Sequence, residues 1–199
     1  MTATASGNLQ RWSTGHTLPN HLRVLVTRLG LPVEGVAVRW STVGSRGVVT
    51  PGQDSTGPDG VAITRFTLGT EARDYQIQAA VDGAGGSPVT FTATAYPNFA
   101  AQLSIAGGND QAGTVGTPLA EPLSVLVGDE FNNAFGGAAI EWTVLAGDAT
   151  VSPGMATSAA DGLARTVLTL GSAPGPVTVR ASFPGTAGRE VFFALTATP

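Results

Sequence analysis

The chain has 199 residues, no cysteine and no lysine, so its net charge of −4 comes from 10 arginines against 14 acids. Glycine (27) and proline (13) are abundant enough to punctuate the chain throughout, yet mean hydropathy is positive at +0.17 and only 12% of residues are charged, which places the chain among folded proteins. This composition excludes disulfides, thiolate chemistry, Cys-type zinc sites, Schiff-base or phosphate-binding lysines and Lys–Asn isopeptide crosslinks.

The apolar runs are too short to span a membrane. An acidic chain without a basic cluster is a poor nucleic-acid binder. Met1-Thr2-Ala3-Thr4-Ala5 has neither a basic start nor an apolar stretch, so export information is expected outside this sequence.

In chain order, the elements read as strands. Thr2-Ala3-Thr4-Ala5 is a thin first-strand candidate. Val36, Val38 and Trp40 alternate with Ala37 and Arg39, and Pro51-Gly52 and Asp59-Gly60 then punctuate the chain. Ala62, Thr64, Phe66 and Leu68 form one face of the next strand, with Ile63 and Arg65 on the other. Tyr75, Ile77, Ala79 and Val81 alternate with polar or small residues, and Val89, Phe91, Ala93 and Ala95 alternate with threonines. No helical stripe of useful length appears.

The second half repeats the first. Trp40 matches Trp142, Pro51-Gly52 matches Pro153-Gly154, Asp59-Gly60 matches Asp161-Gly162, and Thr67-Leu68-Gly69 matches Thr169-Leu170-Gly171. Upstream, Gly7-Asn8 and Gln10 match Gly108-Asn109 and Gln111, and Leu22 matches Leu123; copy 2 gains one residue near Asp129 to Asn133. About seven short strands in about 100 residues describe an immunoglobulin-like β-sandwich, so the chain is expected to be all-β, with tandem domains at 1–97 and 98–199. Trp40, Trp142, Phe91 and Phe193 are expected in the cores.

Four stretches resemble the bacterial Ig-like domain group 1, the repeat of intimin- and invasin-type surface proteins. They are Gly7-Asn8-Leu9-Gln10 with Gly108-Asn109-Asp110-Gln111, Leu31 to Trp40, the Asp-Gly turns running on to Thr-Leu-Gly, and the closing strand Val89 to Ala95. Copy 2 departs at Phe135-Gly136-Gly137, and copy 1 carries Arg28 where an acid is usual. The resemblance implies a non-enzymatic, extracellular or cell-surface module without cofactor, a stiff stalk or fibre unit of an adhesin-like protein. A second reading, a module recognising a receptor or glycan, stays open beside it, as does a subunit of an extracellular filament or virion appendage.

Local chemistry is sparse. His16 and His21 read as surface-loop residues, and the Asp-Gly pairs as tight turns. Asp129, Glu130, Asn132 and Asn133 form the one oxygen-rich loop, a weak calcium candidate because its spacing matches no EF-hand. Trp12, Phe131 and Phe192 are the candidate partner contacts, Phe192 because it stands where copy 1 has Thr90. Tyr96, Pro97 and Phe99 make the link between domains rigid rather than Gly/Ser-flexible.

Seven arginines against six acids up to residue 98 give +1, and three against eight afterwards give −5, an asymmetry that favours contact with identical chains or neighbouring Ig-like domains. Two readings of the domain 1 edge stay open. Thr2 to Ala5 serve as its first strand, or a strand from a neighbour fills it.

Overall fold

The computed structural model describes residues 2–3, 7–44, 47–186 and 188–199. The chain divides into two compact units, Met1–Asn98 and Phe99–Pro199.

In the first unit the strands are β1 (Thr2–Ala3), β2 (Gln10–Ser13), β3 (Leu22–Leu25), β4 (Thr27–Arg28), β5 (Leu31–Pro32), β6 (Ala37–Val43), β7 (Val48–Thr50), β8 (Gln53–Ser55), β9 (Val61–Thr67), β10 (Asp74–Ala80) and β11 (Val89–Tyr96). In the second they are β12 (Gln102–Gly107), β13 (Ala112–Thr114), β14 (Leu123–Gly128), β15 (Ala139–Ala146), β16 (Ala149–Ser152), β17 (Met155–Thr157), β18 (Leu163–Leu170), β19 (Gly175–Ser182) and β20 (Glu190–Thr198). Each unit is a sandwich of one four-stranded and one five-stranded sheet. The orders are β1-β3-β9-β7 and β2-β11-β10-β6-β8, then β12-β14-β18-β16 and β13-β20-β19-β15-β17.

The expected count of about seven strands per domain is low, for a physical reason. The first strand of each domain splits, β1 and β12 joining one sheet and β2 and β13 the other. Proline lacks the N–H a ladder needs, and Pro51-Gly52 and Pro153-Gly154 interrupt a second strand the same way, so β7 and β8, and β16 and β17, lie in opposite sheets.

Alternation places the cores. Ala62, Thr64, Phe66 and Leu68 are buried, while Ile63 and Arg65 between them are exposed; Ala164, Thr166, Leu168 and Leu170 repeat the pattern around exposed Arg165 and Val167. Trp40 is 4% exposed and packs on Phe91 with ring centroids 5.8 Å apart and planes at 42°. Trp142 is 3% exposed and meets Phe193 at 5.7 Å and 45°. These are favourable tilted geometries for aromatic pairs. A second pair, Phe66 and Tyr75, fills domain 1 at 5.9 Å, and the Tyr75 hydroxyl donates to the Glu71 carbonyl at 2.8 Å.

The repeated motifs hold the backbone. Gln10 Nε2 donates to the carbonyls of Gly7 (3.1 Å) and Asn20 (3.0 Å), and its Oε1 accepts from Asn20 N at 2.9 Å. Gln111 makes the same three bonds to Gly108, Glu121 and Glu121 N. Asn8 Oδ1 accepts from Thr92 N, and Asn109 Oδ1 from Ala194 N, tying this loop to the closing strand. The Asp-Gly pairs are turns. Asp59 and Asp161 cap the N–H groups of Val61 and Leu163, and Gly60 and Gly162 take φ of +71° and +79°, which favours glycine. A Cβ on Gly60 would also meet the Val26 carbonyl at 2.8 Å.

At the domain 1 edge, Thr2 and Ala3 pair with Leu25 and Val24, the place that Ser104 and Ile105 take opposite Leu126 and Val125 in domain 2. Thr4 and Ala5 lie outside the described residues.

The hairpin β4–β5 turns through Leu29 (φ 52°) and Gly30 (φ 83°), and the Leu29 side chain is 99% exposed. Left-handed backbone costs a non-glycine residue about 1–2 kcal/mol, less for asparagine. Leu29→Asn should therefore stabilise domain 1 by about 0.5–1 kcal/mol, read as a midpoint shift in thermal unfolding. An unchanged or lower midpoint would contradict this account of the turn.

Candidate functional site

The oxygen-rich loop is closed on itself. Asp129 is fully buried, and its Oδ1 accepts from the N–H groups of Phe131 and Asn133, both at 2.9 Å. Asn133 Nδ2 bonds both carboxylate oxygens, at 3.1 and 2.9 Å, and Asn132 takes φ 66° to complete the turn. Asp129 thus faces inward as a loop staple, while Glu130 and Asn132 are exposed. A hard cation wants several convergent oxygens, and the Asp129 carboxylate is engaged by its own loop. Among the described residues no three His, Cys, Asp or Glu side chains converge as a metal site. In copy 1 the shorter β4–β5 hairpin occupies this place and needs no staple.

The two histidines are separate. His16 Nδ1 bonds the Thr14 carbonyl at 2.8 Å and the Ser13 hydroxyl at 3.2 Å. His21 Nε2 accepts from Arg65 Nε at 3.0 Å, so that nitrogen carries a lone pair rather than a proton. Arg65 belongs to β9 and Arg23 to β3, whose Arg23 pairs across the ladder with Ile63. Alternation placed Arg65 beside Ile63 on the face opposite Phe66 but did not show that this face also gathers His21 and Arg23. The signal was available in the repeat, because copy 2 has Pro122, Ser124 and Val167 in their places.

The candidate contact aromatics belong to different units and, within the second, to different sheets. Trp12 (40% exposed) lies on β2 opposite Ala95. Phe131 (38%) is in the stapled loop after β14, in the four-stranded sheet of domain 2, whereas Phe192 (51%) is on β20 of the five-stranded sheet, with Phe193 fully buried behind it. Phe192 stands opposite Arg180, whose buried Nε has no hydrogen-bond partner among the described residues. Glu141 and Glu190 flank Ser182 in the next row, and all four polar residues line one shallow cleft. Tyr96, the last residue of β11, and Phe99 are 40% and 51% exposed, and Pro97 is half-buried.

One carboxylate is electrostatically distinct. Asp148 Oδ2 accepts from Ser172 N at 2.7 Å, Ala173 N at 3.2 Å and the Ser172 hydroxyl at 3.3 Å, linking the β15–β16 turn to the β18–β19 loop. The backbone donors of Ala173 and Ser172 favour its charged form and hold its pKa below the ordinary 3.8. A depressed folded pKa means that the unfolded state binds the proton more readily. This contribution is therefore complete above the ordinary carboxylate pKa and is lost as pH falls through the folded value. The stability difference between the parent and Asp148→Asn in acid unfolding should consequently be full above the ordinary carboxylate pKa and shrink as pH falls below it. A difference that stays constant through the acid range would contradict the assignment.

No family model matches the chain, and no curated relative does. Solved structures do. InvD of Yersinia pseudotuberculosis matches 99% of this chain and 56% of its own at 18% identity and TM-score 0.56. The Escherichia coli adhesin FdeC matches 94% and 61% at 18% and 0.54. The D00-D0 domains of intimin match 100% and 99% at 13% and 0.47. The chain spans little more than half the length of the first two. The fold, two β-sandwiches in tandem, is one that the chain shares with InvD and FdeC.

Proposed function

We propose that the chain is a tension-bearing spacer, a non-enzymatic stalk or fibre unit of a bacterial surface adhesin-like protein. The observation that carries this reading is how each domain ends. In domain 1, β2 runs parallel to the closing strand β11, Gln10–Ser13 lying against Ala93–Tyr96. In domain 2, β13 runs parallel to β20, Ala112–Thr114 against Thr196–Thr198. Flanking bonds extend both ladders, Leu9 N to Thr92 O and Thr14 N to Tyr96 O, then Asp110 N to Ala194 O and Val115 N to Thr198 O.

A pull on the two ends of a domain draws such parallel strands past one another, so the ladder bonds are loaded together in shear. A hairpin pulled at its open end instead releases its bonds one after another. Parallel terminal pairing therefore suits a module whose work is to hold its span under load, and forced unfolding is governed by the unfolding rate that this barrier sets. The likeness to adhesin structures supports the extracellular, cell-surface setting.

The chain's lack of cysteine lets handles be placed at will. Pulled from its two ends, it should give two high-force unfolding events, each releasing about 30 nm of chain at about 3.3–3.6 Å per residue. With handles at Pro174→Cys and Pro199→Cys, at the open end of the β19–β20 hairpin, β20 should unzip from β19 at a several-fold lower force. Equal forces in the two geometries would sink the load-bearing reading.

A further inference from the structure

We propose that the outer face of the β1-β3-β9-β7 sheet of domain 1 is a binding site for the anionic groups of an acidic polysaccharide, sulfate or carboxylate. This role stands beside the spacer role and does not depend on it. His21, Arg23 and Arg65 are its charged and hydrogen-bonding groups. Arg23 and Arg65 are diagonal neighbours across the β3–β9 ladder, Arg23 opposite Ile63 and Arg65 two residues on, a separation of about 7–8 Å.

The Arg65 contact to His21 uses one donor, Nε, of the five that a guanidinium carries, and among the described residues Arg65 has no ion pair. An arginine that leans on an imidazole rather than a carboxylate keeps its charge for an outside partner. Two shallow clefts meet at His21. One, of about 310 Å³, is lined by Pro19, Asn20, His21 and Arg23. The other, of about 180 Å³, has Arg65 and Thr50 at its wall and Pro51 and Ile63 as an apolar floor.

Each cleft thus offers an arginine, a neutral hydrogen-bonding side chain and a proline, with His21 shared between them. That combination suits a sugar ring, which presents C–H surface on one side and hydroxyl and anionic groups at its rim. A chain with recurring anionic groups places one in each cleft. The combined space is of the order of small-ligand clefts, about 300–1,000 Å³.

The second domain supplies an internal control. It builds the same ladder, Leu123 opposite Thr166 as Leu22 is opposite Thr64, with Pro122, Ser124 and Val167 where domain 1 has His21, Arg23 and Arg65. The fold therefore does not require these groups.

The test uses the full chain and a heparin-derived octasaccharide, with affinity measured by calorimetry at low and physiological salt. The chain should bind, more weakly as salt rises. Arg23→Ser with Arg65→Val, the residues domain 2 carries, should weaken binding at least tenfold, and Arg11→Ser with Arg28→Ser, an equal charge loss elsewhere in domain 1, less than twofold. His21→Ala alone should weaken it severalfold, which keeps the test decisive if the double variant is unstable. Absence of binding, or equal loss in the Arg11/Arg28 variant, would overturn the proposal. So would polyglutamate of matched charge binding as tightly, or self-association of the chain that disappears in the Arg23/Arg65 variant, since either result assigns the face to an acidic protein surface.

Discussion

In each domain a tryptophan at the sandwich centre lies against a phenylalanine of the closing strand. Trp40 sits on β6 and Phe91 on β11, two strands away in the same sheet with β10 between them; Trp142 and Phe193 repeat the arrangement across β19. The rings are too large to fit one opposed sheet position, so the facing sheet must meet them with β-branched, leucine and small residues, as Leu22, Val24 and Ala62 do in domain 1 and Leu123, Val125 and Ala164 in domain 2. Both indole N–H groups are buried without a partner among the described residues, which costs about 1–3 kcal/mol each. Burying about 150–250 Å² of ring at about 25 cal/mol per Å² returns about 4–6 kcal/mol, so packing outweighs the lost hydrogen bond. The wedge is tolerated because its area term is larger than its polar penalty.

From that wedge follows the organisation of the strand edges. A filled centre keeps the two sheets apart, and a chain that must serve both sheets with few residues does so by crossing between them. The opening strand of each domain crosses after its first few residues, and the Pro-Gly pairs cross later. The crossing brings β2 and β13 beside the closing strands in parallel, the feature on which the load-bearing reading rests. Gln10 and Gln111 tie this crossing down, each bonding a glycine of the loop before β2 or β13 and the residue two positions ahead of the next strand, Asn20 or Glu121.

Much of this was legible in the residues because it obeys period two. Phe66, Ile77, Phe91 and their partners in copy 2 alternate with polar neighbours, and the repeat marked which face tolerates charge, since Ile63 matches Arg165 and Arg65 matches Val167. Three features escaped. The split of the opening strand leaves no compositional trace, because Gln10 to Ser13 reads as polar loop although its backbone is a ladder. Asp129 looked like an outward ligand because composition cannot reveal that its carboxylate is consumed by the N–H groups of Phe131 and Asn133. The His21–Arg65 contact joins residues 44 apart in sequence, and only the β3–β9 register brings them together.

Two separate cores, each built on its own tryptophan–phenylalanine pair, hold the chain together. Native-state hydrogen exchange resolved by residue tests it most directly, because the slowest amides report the most stable unit. Two matched sets of slowest amides are expected, around Ile77 and Ala93 in domain 1 and around Val179 and Leu195 in domain 2, with the β4–β5 hairpin and the stapled loop exchanging much earlier. Slowest exchange confined to one domain, or located in those peripheral turns, would contradict it.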